Sequence, residues 1–323
     1  MSGIFPSAKW PVGHPLSLAM AGGLSVLLFR SPLLLPGLGI FLSLLTPLPL
    51  LYLHVRRGAA AGVLTTAFAS AAAYLWGGID SAILFVMEYG MLALIIGEGV
   101  RRKRAPAAVL TAGVVFPFLV GFGALAVFLW VSRLDPITFA REQVDAVVQM
   151  SLELYQRMGM TPEQVEGVRE QAAEAARFFL RALPALGVIW YSSVAFLNYG
   201  LLRFLWLHPK VGYPDGGQTL LSHSLKSWHA PDFVVWGLIA SGFALLVPVD
   251  PVRIAGLNGL IIFLLIYLLQ GLGILSSLFD RWGSPRILRV ICYFFLLGTP
   301  WGVVLLAILG IFDIWMDPRK LRR

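Results

Sequence analysis

The sequence predicts an all-α fold: a polytopic transmembrane helical bundle of about eight to nine helices with an inserted soluble helical hairpin. Three observations predict it. Hydrophobic residues make up 58% of the 323 and charged residues 13%, with a mean hydropathy of +0.79, outside the range of a soluble domain of this length. The apolar residues come in continuous runs of about 20, the length that crosses a hydrocarbon core of about 30 Å as a helix. Strands of a membrane barrel would alternate apolar and polar side chains over about ten residues, and the runs do not alternate.

Read in order, the candidate spans are roughly 15–29, 34–54, 58–77, 81–100, 106–131, 183–207, 232–249, 252–279 and 287–312. The first and seventh are short. Lys9 precedes the run from Leu16 to Phe29 in the manner of a signal peptide. No small-x-small cleavage pattern follows before Arg30, so the run is read as the first helix. Arg101-Arg102-Lys103-Arg104, between the fourth and fifth helices, is the strongest cytoplasmic marker. Counting back from it places His54, Arg56, Arg57 and Lys9 inside. Counting forward places 132–182 outside and 208–231 and 280–286 inside. The basic tail Arg319-Lys320-Leu321-Arg322-Arg323 then falls outside, against the positive-inside rule, so one of the last three helices is expected not to cross, with 232–249 the first candidate.

The water-soluble part runs from Leu134 to Arg181. Asp135-Pro136 is an N-cap followed by proline at the first helical position, and Gly159 closes that helix after Met158. Thr161-Pro162-Glu163-Gln164 begins a second helix as a capping box. Val144, Val147, Val148, Leu154, Tyr155 and Met158 form one apolar stripe; Val165, Val168, Ala172, Ala175 and Phe179 form another. The pair reads as a helical hairpin that either caps the membrane helices or recruits a partner.

Small residues mark close helix packing. Gly58-Ala59-Ala60-Ala61-Gly62 is a GxxxG at the start of the third span, and Ala67, Ala69 and Ala71 to Ala73 extend that surface. The single cysteine, Cys292, sits in an apolar run and excludes an intrachain disulfide.

Signatures of catalysis are missing: there is no GxxxxGK[ST] phosphate loop, no HExxH and no GxSxG. Neither an enzymatic activity nor a cofactor is expected. Lys and Arg outnumber Asp and Glu by 25 to 17, but the excess lies in short clusters beside apolar runs, which orient helices and do not track nucleic acid. The expected surroundings are the lipid bilayer. His223 and His229 have no cysteine or carboxylate at ligand spacing and read as part of an amphipathic loop at the membrane boundary, not as a metal site.

Polar residues inside the spans carry the functional information. Glu98 lies three and four residues before Arg101 and Arg102 and reads as an interfacial ion pair. Arg203, near a helix end, can snorkel to the headgroups. Ser192, Ser193, Asn198, Asn258, Tyr267 and Gln270 are the other polar residues in apolar runs of the later helices. Glu88 stands apart. It occupies the middle of its span, where a charged side chain costs about 2.5–3.5 kcal/mol to insert and normally faces protein or water. Asn198 is placed at similar depth, and Tyr191, two turns before it, shares its helix face. Glu88, Tyr191, Asn198 and Gln270 are therefore the candidate substrate-binding residues, lining a polar cavity. The alternative is a neutral Glu88 hydrogen-bonded to a neighbouring helix as structural glue.

The C-terminal third carries a family resemblance. Trp228, Pro231, Trp236, Asn258, Tyr267, Gln270-Gly271-Leu272 and the run Gly310-Ile311-Phe312-Asp313-Ile314-Trp315-Met316-Asp317-Pro318-Arg319-Lys320 resemble the YybS-like family of predicted bacterial membrane proteins. Pro47-Leu48-Pro49-Leu50, followed by Gly58 and Gly62, is similar to the substrate-binding S components of energy-coupling factor transporters. That second resemblance implies a six-helix core over 1–207; the extracytoplasmic hairpin 134–182 inserted in it, the cytoplasmic amphipathic loop over 208–231 and the C-terminal membrane helices with a basic tail over 232–323 are read from the residues, and the hairpin and the extra helices depart from the S-component pattern. It also implies a small-solute site served by a separate ATPase and coupling subunit, in the cytoplasmic (inner) membrane of a bacterium. The competing expectation is a non-transporting scaffold or regulator that recruits partners through its hairpin and tail.

Overall fold

The computed structural model describes residues 15–35, 37–157, 159–206 and 228–316, and every regular element among them is helical. In chain order the elements are α1 (Pro15–Leu34), α2 (Leu38–Ser43), α3 (Pro47–Arg57), α4 (Ala59–Phe85), a single π turn (Val86–Gly90), α5 (Met91–Arg101), α6 (Pro106–Val131), α7 (Pro136–Arg157), α8 (Pro162–Trp206), α9 (Val234–Ala244), α10 (Asp250–Arg281), α11 (Arg286–Gly298) and α12 (Pro300–Met316). The chain divides into two compact units, Met1–Phe122 with Trp190–Ser224, and Gly123–Ile189 with Leu225–Arg323. Lys9, Met158, His223, the side chains of Leu154, Tyr155, Gln164 and Val165, the loop up to residue 227, and the tail Arg319 to Arg323 lie outside the described residues.

Six helical stretches among the described residues are long and apolar enough to cross a membrane, or seven if the bent pair α11–α12 counts as one. One of the six, Ala59–Arg101, holds 43 residues. Straight, it would be about 65 Å long, roughly twice the hydrocarbon thickness. It is a hairpin. A Cβ placed on Gly90 would lie 2.9 Å from Thr66 Cγ2, and one on Gly58 would lie 3.5 Å from Arg101 Nη1, so the two ends of the stretch meet. The reversal is at Gly77 (φ −145°, ψ 21°) and Gly78 (φ 75°, ψ −172°), the second a conformation open to glycine and costly for other residues. The two spans expected over 58–77 and 81–100 are the arms of this hairpin.

His54 clasps the open end. The sequence places it among the charges of an inside loop; instead its ring is buried between Gly62 and Gly97, where any Cβ would overlap it. Its Nε2 lies 3.2 Å from Glu98 Oε2. Glu98 also accepts from Arg102 Nε at 2.6 Å and lies 3.7 Å from Arg101 Nη1, the expected i,i+4 and i,i+3 pairs. Gly62 of the GxxxG thus serves packing, as expected. The chain then turns through the four-residue stretch 102–105 into α6, whose Val109 and Leu110 are buried; a Cβ on Gly99 would lie 2.8 Å from Val109 Cγ2 and one on Gly113 would lie 2.6 Å from Ile96 Cγ1.

In the second unit, α7 begins as expected. Asp135 Oδ2 accepts from the Thr138 amide at 2.8 Å and from the Thr138 hydroxyl at 2.9 Å, which holds the carboxyl below its usual range. A depressed carboxyl stabilises its cap at neutral pH and loses it as the pH falls through the lowered value. The second arm of the hairpin does not end near residue 182 as expected. It continues through Pro184 into the membrane helix as α8, 45 residues long. Proline lacks an amide and crowds the preceding turn, and the helix survives because Asn258 of α10 splints it. Ala185 N donates to Asn258 Oδ1 at 2.8 Å, and Asn258 Nδ2 donates to Arg181 O at 2.7 Å. The side-chain amide thereby serves the two backbone groups that would otherwise pair across one turn.

Helix α9 is 11 residues, about 16 Å, half a membrane thickness. The single helix expected over 287–312 is broken: α11 and α12 meet at a 103° bend. Thr299 is extended there (φ −121°, ψ 138°), Pro300 opens α12, and Thr299 Oγ1 caps the new helix by accepting from Gly302 N at 3.2 Å. Against α10, α12 packs with backbones almost touching: a Cβ on Gly271 would overlap Leu306 O, and one on Gly310 would overlap Tyr267 O.

Two outcomes follow. Asn258→Leu removes both side-chain hydrogen bonds that splint α8 at Pro184 and is expected to cost about 1–3 kcal/mol, read as a lowered midpoint in denaturation of the detergent-solubilised protein. In a Cys292→Ser background, single cysteines replacing Arg57 and Lys103 are expected to react with an impermeant maleimide from the same membrane side; labelling from opposite sides contradicts the hairpin.

Candidate functional site

Glu88 lies on the returning arm of the hairpin, about ten residues past the Gly77–Gly78 reversal and so near mid-span. The helix does not run regularly there. Val86 to Gly90 form one π turn, and the carboxylate sits at its centre. A π turn inserts an extra residue into the helical ladder at a cost in hydrogen bonding, and such turns concentrate at functional sites. Its effect here is to bring Tyr89, buried, and Glu88, partly buried, toward neighbouring polar groups.

Those groups are on α2 and α8. Tyr89 hydrogen-bonds Ser43 at the end of α2. The Tyr191 hydroxyl of α8 lies within electrostatic range of both Glu88 and Tyr89. Aromatic rings wall the cluster: Phe29 meets Phe85 and Tyr89 edge-on at 5.5 and 5.8 Å, and Phe118 meets Tyr191 edge-on at 6.4 Å. A Cβ on Gly121 would lie 3.2 Å from the Tyr191 hydroxyl, so the glycine leaves that oxygen its room. Among the described residues the Glu88 carboxylate has no hydrogen bond and no ion pair. It is an acceptor at mid-span near two phenols, without a donor among the described residues.

The other expected residues are placed differently. Asn198 shares its helix face with Tyr191 but lies two turns farther along α8, about 10 Å, so Tyr191 and not Asn198 is level with Glu88. Asn198 is fully buried, and its Nδ2 donates to Leu44 O and to Val194 O, both at 2.7 Å. The reason lies in the α2–α3 junction. Pro47 opens α3, the Leu48 amide turns back to Leu45 O, and the Leu44 carbonyl is left without its helical partner. Asn198 supplies that partner. Only its Oδ1, buried and unpartnered, stays available. Gln270 belongs to the second unit, and both ends of its amide are occupied: Oε1 accepts from Ala230 N at 3.0 Å and Nε2 donates to Asp313 Oδ2 at 2.8 Å. Tyr267, one turn before Gln270, is buried in the cluster with Ala230 and Val234.

Three residues were not picked out as site candidates from the sequence. Tyr89 follows Glu88 directly, and on a regular helix it would point about 100° away; no sequence cue announces the π turn. Asp313 is a carboxylate in an apolar run, the same cue that singles out Glu88, and it is buried against Gln270. His54 carried no cue beyond its neighbours' charge. Among the described residues no three His, Cys, Asp or Glu side chains gather as a metal site, and His229 Nδ1 lies 3.4 Å from Ala230 O.

Long apolar helices, a doubled-back hairpin and polar side chains turned toward protein define a multi-pass integral membrane protein in contact with the lipid bilayer. The chain belongs to the DUF2232 family of predicted membrane proteins, whose family model matches residues 23–314. No curated protein and no solved structure matches it.

The geometry separates two kinds of polar residue by stability. Asn198→Ala uncovers the Leu44 carbonyl and is expected to cost about 1–3 kcal/mol. Glu88→Gln breaks no bond and is expected to leave thermal stability unchanged or raised. A Glu88→Gln protein that melts well below wild type makes Glu88 structural glue.

Proposed function

We propose that this protein is a substrate-binding or transport-related membrane subunit for a small polar or vitamin-like solute, working in the cytoplasmic membrane of a bacterium. The observation that carries the reading is the Glu88 carboxylate: mid-span, on a π turn, near Tyr89 and Tyr191, with no donor among the described residues. An unmatched acceptor at that depth costs stability unless something binds it. The substrate would offer a hydrogen-bond donor or positive charge to Glu88, apolar surface to Phe29 and Phe118, and a further polar group to the Tyr191 hydroxyl.

One resemblance supports the reading at a finer level. The similarity of the Pro47-Leu48-Pro49-Leu50 and Gly58/Gly62 region to S components suggests a binding subunit that borrows its energy from a separate ATPase and coupling subunit. The role is binding, not catalysis, since one carboxylate between phenols offers neither a nucleophile with its base nor a metal.

The test is a metabolite screen by thermal shift on purified protein. A hit is expected to stabilise wild type and to lose most of its effect with Glu88→Gln and with Tyr191→Phe. An equal shift in all three proteins places the site elsewhere. A second reading, a scaffold or regulator, is favoured by α7, which carries a largely exposed surface including Val147 and Met150 at 65% and 74%. Affinity purification from membranes separates the two: an ATPase pair recovered with the full chain supports the binding subunit, and loss of other partners on deleting 136–157 supports the scaffold.

A further inference from the structure

Arg30 is in the second half of α1, on a helix whose other ionisable neighbours are absent, and it lies at the reversal of the hairpin. Its Nη2 donates to Ser81 Oγ at 2.6 Å, and its guanidinium carbon lies 5.5 Å from the Phe29 ring. The seat depends on a missing side chain: a Cβ on Gly77 would overlap Nη2 and would lie 2.8 Å from the guanidinium carbon. The Nε is buried and has no hydrogen-bond partner. Among the described residues no carboxylate lies within ion-pair distance of Arg30, and Asp80, beside Ser81, is exposed and unpaired. A guanidinium presents five donors in a planar fork shaped for an oxyanion. Here one donor meets a neutral hydroxyl, and the charge is unanswered in a partly buried place.

We propose that Arg30 and Ser81, held at the Gly77–Gly78 reversal, form a binding site for an oxyanion of the phosphate class. The guanidinium grips the anion through donors that Ser81 leaves unused, and the Ser81 hydroxyl, already accepting from Arg30, donates its own proton to it. Gly77 keeps the fork against the backbone. Two sources share this chemistry, the phosphate of a phospholipid headgroup at the membrane boundary and a soluble phosphate-bearing solute. The site is independent of the Glu88 reading, because it uses neither Glu88 nor the tyrosines.

The experiment uses the full chain in delipidated detergent with two probes, inorganic phosphate and short-chain phosphatidylglycerol, read by thermal shift and by native mass spectrometry. Wild type is expected to bind one probe at least, with Arg30→Gln roughly ten- to a hundredfold weaker. Binding of phosphatidylglycerol alone assigns the site to a lipid headgroup; saturable binding of inorganic phosphate assigns it to a soluble anion. Gly77→Ala retains the charge but displaces the guanidinium, and the same loss is expected, which keeps the test open should Arg30→Gln fail to fold. Equal affinity in wild type and both variants, or no binding of either probe to wild type, overturns the proposal.

Discussion

Everything in this structure answers to one constraint: inside a bilayer no water completes the hydrogen bonds of the backbone, so each exposed amide or carbonyl must find a partner in protein. With 20 prolines in 323 residues, the chain breaks its own helical ladders repeatedly. The repairs come from side chains. Pro32 withholds the amide that Leu28 O would accept, and Ser31 Oγ lies 2.6 Å from that carbonyl. Asn198 serves Leu44 O beside Pro47, and Asn258 serves Arg181 O and Ala185 N beside Pro184. Each repair also fastens one segment to another, so the prolines that weaken a helix locally specify which neighbour it must have.

The second device is the absence of side chains. Gly62 and Gly97 admit the His54 ring, Gly271 and Gly310 let α10 and α12 meet backbone to backbone, and Gly77 admits the Arg30 guanidinium. Lipid gives apolar helices no reason to prefer each other, so dispersion at close range and hydrogen bonds decide the packing. Bulky apolar residues such as Leu75, Trp130 and Trp301 are turned outward, consistent with an apolar solvent.

Helix class and most span positions were legible in the sequence because hydropathy and length decide them. The hairpin arms 58–77 and 81–100 were separable for the same reason, with Gly77-Gly78 between them. Three features were not. The continuity of α8 through Pro184 depends on Asn258, 73 residues after the Ala185 amide it accepts from, and no local pattern reveals that pairing. The α11–α12 bend places a polar Thr299 and Pro300 in a run that reads as one span. Asn198 and Gln270 were rightly singled out as polar residues in apolar helices, but polarity at depth does not say whether a side chain awaits a ligand or completes a backbone. That distinction needs the partner, a bare carbonyl for Asn198 and an amide and a carboxylate for Gln270, and each lies far away in sequence.

The buried polar residues divide by what they serve, with Ser25 Oγ, Thr46 Oγ1, Arg203 Nε and the Tyr267 hydroxyl left without a hydrogen-bond partner among the described residues. Asn198, Asn258, Gln270 and Ser31 are occupied by backbone; Glu98 and His54 are occupied by each other and by Arg101 and Arg102. Glu88 and Arg30 serve nothing comparable, and both lie in the first unit. Their charges are opposite, yet they are not each other's answer: Arg30 is held at the hairpin reversal by Ser81, and Glu88 is seven residues on from Ser81, about two turns deeper. Phe29, adjacent to Arg30, packs against Tyr89, adjacent to Glu88, and so fixes both ends from one ring without joining them. The hairpin thus gives the guanidinium and the carboxyl group separate polar neighbours, Ser81 for one and Tyr89 and Tyr191 for the other.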